Sequence, residues 1–405
     1  MQTTMKLPQR YTYPSPGFSE HWNHGSGKRM LAQIPSVPDS KQIEESAHRY
    51  WECDTLGDKI IAEDFQLLGH RKAHELINEI LKKGVDHVAD VPENLRQLFL
   101  ETQKKPEWLD ENLLEAGAAF CRRTGPFGLI VLRNYSLMGG YESSAINKPL
   151  IYTGALKKGA AKRMAETLSF WVDVTGEGAL KPYAIGFNTT LHVRIIHALA
   201  RTYTRKAPTW SDDLWGVPLN QGDMIATNLG FSLVFLDGLR KQGFNPSLQE
   251  VNGLFHFWKY IGYLLGIPLQ YLPENEEQAI ASLYQWTMNQ PAADEDTIAL
   301  AQALMNAPLL GTYPKVHWQK VLLVKIYLGY NRYFLGKSAC NRMQLPNTLF
   351  RFVPPVLKFI NSLYERWVNS SIVNYQKAVR SGRKQQVDIR DGFVKENPFA
   401  RTHAE

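Results

Sequence analysis

One stretch, FNTTLHVRIIHALARTYTR at residues 187–205, constrains this chain more than any other. It holds no glycine or proline, and its apolar residues recur at helical spacing, so it reads as a single buried helix. Two histidines and three arginines sit among those apolar residues. At about 100° per residue, His197 shares a side with Thr190, Val193, Arg194, Arg201 and Thr204, whereas His192 points roughly 140° away. The two imidazoles are therefore not expected to grip one ion from one face. His197, framed by Arg194 at i−3 and Arg201 at i+4, is left projecting alone from a greasy helix.

The remainder of the chain is expected to be all-α, a large helical bundle. No strand alternation of any length and no repeat of fixed period occurs. Residues 1–40, rich in Pro, Gly, Ser and His, read as an extended arm or a loose end. One helical domain is expected over 41–380, and a basic polar tail over 381–405. Within the domain, Ser40 is a candidate cap for the first helix, Gly84 a stop and Ser247 a further cap. Pro106 and Pro273, each followed by acidic residues, are read as helix starts. The segment GLIVLR at 128–133 suits a strand by composition but lacks partner strands, so helix is favoured. Gly139, Gly140 and Pro149 are read as turns where backbone and ligand approach closely. A helix over 159–175 puts Arg163, Glu166, Thr167 and Phe170 on one face.

Composition narrows the class of function. The charged share of 21% and hydrophobic share of 44% are those of a globular protein. The net charge of +7 is spread along the chain. It favours loose peripheral attraction to anionic surfaces such as membranes over a groove that reads nucleic acid, and no zinc-finger or RNA-binding signature is present. Three dispersed cysteines give neither a disulfide framework nor an iron–sulfur site. His70 and His74 have metal-compatible spacing, but the charges around them describe a solvated face. No apolar leader and no run of roughly 18 apolar residues is found, so a cytoplasmic protein without a membrane span is expected. G-x-S-x-G, H-E-x-x-H, Walker A and dinucleotide-binding signatures are absent.

Two arrangements fit the central helix. In one, His197 is a satisfied core histidine and Arg194 and Arg201 meet carboxylates elsewhere. In the other, His197 is the axial ligand of a haem, whose porphyrin fills apolar space while the arginines neutralise its propionates. The 18 Phe, 18 Tyr and 10 Trp residues suit a bulky apolar ligand, though large helical proteins without ligands also use many aromatics.

Four segments occur in a telling order: Arg163-x-x-x-Thr167, VRIIHALAR at 193–201, PLNQGDMIATNLGFS at 218–232, and HFWKYIGYLLGIP ending at Pro268. Together, over roughly residues 127–273, they resemble the family of MpaB-type enzymes and latex clearing proteins. That resemblance implies a globin-like core holding haem b, with extra peripheral helices, and use of O₂ to cleave a carbon–carbon double bond in an unsaturated hydrophobic molecule. It implies His197 as proximal iron ligand, Arg163 and Thr167 on the distal side, and Arg342 near the propionates alongside Arg194 and Arg201. The place of a family lysine that caps the distal iron is taken by Glu166. Such an acid would act as a base, pair with Arg163, or leave the iron always open. With no leader, an isoprenoid- or lipid-like small molecule is expected in place of polymeric rubber. The rival expectations are a haem sensor or carrier, and a haem-free helical protein binding a lipid or a partner.

Overall fold

The protein is described by a computed structural model covering residues 7–12, 15–154, 160–310 and 314–394. Among these residues the regular structure is entirely helical, with one isolated bridge between Ser143 and Ala292. The all-α reading therefore stands.

Local chemistry explains where helices begin and end. The first capping box belongs to Asp39 and not to Ser40: its carboxylate accepts from the backbone N–H of Gln42, whose side chain accepts from the N–H of Asp39. Ser247 and Glu250 form a second box at the start of the helix Leu248–Leu264. Gly84, at φ 89°, ends the helix His70–Lys83, where a side chain would be strained. The helix expected from Pro106 starts later, at Glu111, because the carboxylate of Asp110 caps it; the one expected from Pro273 starts at Glu276 under Asn275. GLIVLR is helical, in Gly125–Val131 running on through a π-turn over Leu132–Leu137. Gly139, Gly140 and Pro149 are not turns. They lie in the short helices Met138–Gly140 and Ser144–Tyr152, the second of which carries its proline at the loss of one backbone bond.

Two contacts hold the interior together. The helices Glu111–Arg123 and Leu248–Leu264 cross at Gly117 and Gly253, so closely that a methyl group on Gly253 would lie 2.6 Å from the backbone nitrogen of Gly117. At the end of the first helix, the buried Arg123 donates to Glu250 at 2.5 and 3.1 Å and to Glu365 at 2.5 Å. This network ties those two helices to a third, Val353–Val368. Two carboxylates on one guanidinium offset the cost of burying all three charges.

The last helix, expected to stop near Arg380, runs from Ile372 to Val394. Its buried Gln386 donates to the carbonyls of Cys121, Arg122 and Gly125, where the helix Glu111–Arg123 ends and the next begins. Arg390 reaches Asp173 at 2.8 Å. Towards the other end of the chain, Arg10 is buried against Asp223 through two bonds of 2.8 Å and against Gln290 at 2.6 Å, which ties this described part of the N-terminal segment to the body. No helix among the described residues is long and apolar enough to cross a membrane.

Arg123→Met should cost about 3–5 kcal/mol by stranding two buried carboxylates. Gly253→Ala should cost about 1–3 kcal/mol through overpacking of the crossing. Urea unfolding followed by tryptophan fluorescence checks both.

Candidate functional site

The central helix is Ile185–Arg205, and it has two working faces. Phe187, Leu191, Ile195 and Ala198 pack into the core. On that side Arg194 holds Asp54 through bonds of 2.7 and 2.8 Å, and Arg201 holds Asp58 at 2.6 Å. The other face, with Thr189, His192, Val193, Ile196, His197 and Ala200, lines a cavity of about 1600 Å³. Such a volume exceeds the roughly 300–1,000 Å³ of most ligand pockets.

This geometry corrects two expectations. Arg194 and Arg201 do not accompany His197 toward a ligand; they are turned into the core, where each meets an aspartate. His197 stands at the border between the two faces. The arc separating it from His192, roughly 140° on the helical wheel, is the part of the helix that faces the cavity, so both imidazoles stand on its wall.

Opposite, the helix Ala160–Val174 brings Glu166, Thr167 and Phe170 to the same cavity. Glu166 has Lys162 as an ion-pair partner at 3.9 Å, a half-exposed contact worth little energetically. The Arg163 side chain, expected on the distal side and one of the alternatives for pairing with Glu166, lies outside the described residues. Phe231 and Trp258 stack at 4.7 Å between centroids and, with Leu129, Ile130 and Val234, make the wall predominantly apolar. Arg342 does not line the cavity. Its Nε donates to Glu142 at 2.8 Å and a terminal nitrogen donates to Glu20 at 3.0 Å. Its place is behind the wall.

Three wall residues escaped the sequence reading. Glu142 lines the cavity, and burial holds its carboxyl above the usual range although Arg342 pulls the other way. His21 reaches the cavity from the N-terminal segment; burial, with Lys241 adding and Asp237 opposing, pushes its imidazole down to about 4, so it is neutral at pH 7. Arg133 is buried at the wall among amide and carbonyl acceptors. None belongs to a motif. Only the glycine pair just before Glu142 marked that neighbourhood.

The residues fit a haem in part. Space and apolar lining suit a porphyrin with an olefin beside it, and neutral imidazoles are the right donors for its iron. Among the described residues no group of three or more His, Cys, Asp and Glu could hold a bare metal ion. A lone imidazole suits an ion whose other ligands come from a prosthetic group. The counter-charges differ from expectation: the lysine and arginine side chains described on the wall are Arg133, Lys162 and Arg390, of which Lys162 and Arg390 have carboxylate partners.

Comparison with known proteins places this arrangement. A rubber oxygenase of Streptomyces sp. (strain K30) is 25% identical over 199 residues. That match takes in 48% of each chain, so the protein spans about half the length of the curated relative it matches. A latex clearing protein solved in the closed state superimposes with a TM-score of 0.64 over 83% of this chain and 91% of that one, at 20% identity, which shows a shared fold. Residues 127–358, more than half of the chain, match the family described as ER-bound oxygenase mpaB/B′/rubber oxygenase, catalytic domain. With His192, His197 and most of the cavity lining inside that span, the chain belongs to the MpaB and latex clearing protein family.

Proposed function

We propose that the protein is a haem b-dependent oxygenase that uses O₂ to cleave a carbon–carbon double bond in an unsaturated, isoprenoid- or lipid-like small molecule. The observation that carries this reading is the large apolar cavity, with His197 and His192 on one helix and Thr167 and Glu166 on the helix facing it. Family membership supports the oxygenase class.

In this reading His197 holds the iron, as the VR-x-x-H pattern suggests, and a haem there would supply the redox chemistry that activates O₂. The chain's own residues do the rest. Phe170, Phe231 and Trp258 seat the olefin and exclude water, which strengthens every polar contact inside. The Thr167 hydroxyl donates a hydrogen bond toward charge developing on oxygen. Burial holds the Glu142 carboxyl above the usual range, so this wall residue takes up a proton more readily than an ordinary carboxylate. Glu166 cannot act as a neutral amine ligand, and Lys162 holds it from the same helix face. That pairing also suits a second reading, a haem protein that senses or carries without oxygenating.

Purified protein supplied with haem during expression should show a Soret band. His197→Ala should abolish it and His192→Ala should leave it; the opposite pattern would exchange the roles of the two histidines. Thr167→Val should keep the band and lower turnover of a polyprenoid or carotenoid by roughly 10²-fold. Absence of a Soret band in the wild type overturns the haem reading. A band without O₂-dependent carbonyl products selects the sensor or carrier.

A further inference from the structure

The cavity wall carries a charge that no carboxylate among the described residues balances. Arg133 is 6% exposed and stands on the π-turn Leu132–Leu137. Its guanidinium donates to Asn134 Oδ1 at 2.7 Å and to the Leu304 carbonyl at 2.5 Å, and lies 4.0 Å from the ring centroid of Tyr327. All of these partners are neutral. Nε has no acceptor, and no carboxylate pairs with the group among the described residues.

A guanidinium has five N–H donors and does not lose its proton at neutral pH, so its burial leaves a full cation in an apolar wall. Burial pushes the pKa of the guanidinium down to about 10, against weaker support from Tyr327 and Tyr141. Cation–π contact with Tyr327 offsets part of the cost but supplies no counter-ion. Elsewhere in the protein, buried arginines are matched: Arg10 by Asp223, Arg123 by Glu250 and Glu365, Arg194 by Asp54. Arg133 departs from that rule at the edge of a space large enough for a ligand.

We propose that Arg133 is the docking point for a ligand carboxylate, carried by an apolar molecule whose body fills the cavity. That carboxylate comes either from a haem propionate or from an acid terminus on the substrate. The inference rests on the cavity and the unmatched charge, and it does not require haem to be present.

The test uses the full chain and two matched pairs of probes: dodecanoate against dodecan-1-ol, followed by tryptophan fluorescence, and iron protoporphyrin IX against its dimethyl ester, followed by the Soret band. In at least one pair, wild-type protein should bind the acid roughly tenfold or more tightly than the neutral partner. Arg133→Met should remove that preference, and Arg133→Lys should retain much of it. Preference within the porphyrin pair identifies a propionate; within the dodecyl pair, a substrate acid. Equal affinities within both pairs for the wild type, failure to bind either acid, or a preference that survives Arg133→Met overturns the proposal. If Arg133→Met does not fold, the wild-type comparison decides. A protein that gives no Soret band with either porphyrin but prefers dodecanoate keeps this proposal and discards the haem reading.

Discussion

The rotation of one helix about its own axis decides what this protein can bind. Ile185–Arg205 must turn some side chains into a packed core and others into a hollow, and two ion pairs set which. Arg194 against Asp54 and Arg201 against Asp58 act like pins at one side of the helix, seven residues apart. Both aspartates stand at the short helix Thr55–Lys59, one as its cap and one within it. Turning the central helix by one residue, about 100°, would break two largely buried pairs and carry one of the two histidines out of the hollow. The imidazoles are therefore placed by charges that never touch the cavity.

The cavity itself is held open by the packing around it. Helices that cross at Gly117 and Gly253, and the network around Arg123, fix the distances between elements so that side chains need not collapse inward. A predominantly apolar wall has a low local polarity, and within it each polar group has an enlarged effect. That is why Glu142, His21 and Arg133 all have proton affinities displaced by burial before any other cause.

Helical class, several caps and the central helix were legible in the sequence because each depends on residues close in the chain. Ser247 with Glu250, and Gly84 after its helix, are local devices. What the sequence concealed depends on distant partners. The arginines flanking His197 suggest propionate ligands at i−3 and i+4, yet Arg194 is satisfied by a residue 140 positions away. Periodicity separated His192 from His197 correctly in angle, but it could not say that the hollow lies along the arc between them. Arg133 and Glu142 lie nine residues apart, but His21 is more than a hundred residues away, and only the folded chain brings it to the same wall. The helix that ends the description ran past its expected stop because Gln386 is needed at the end of another helix.

The cavity is walled by both ends of the described chain. Phe18, His21 and Met30 close it from the N-terminal side, and Ile389, Arg390 and Phe393 from the last helix. During synthesis the central helix and its histidines emerge about two hundred residues before that last helix does. The chamber therefore lacks one of its walls until that last helix has been made. One chamber thus depends on segments more than 350 residues apart, so trimming either flank would breach the same wall.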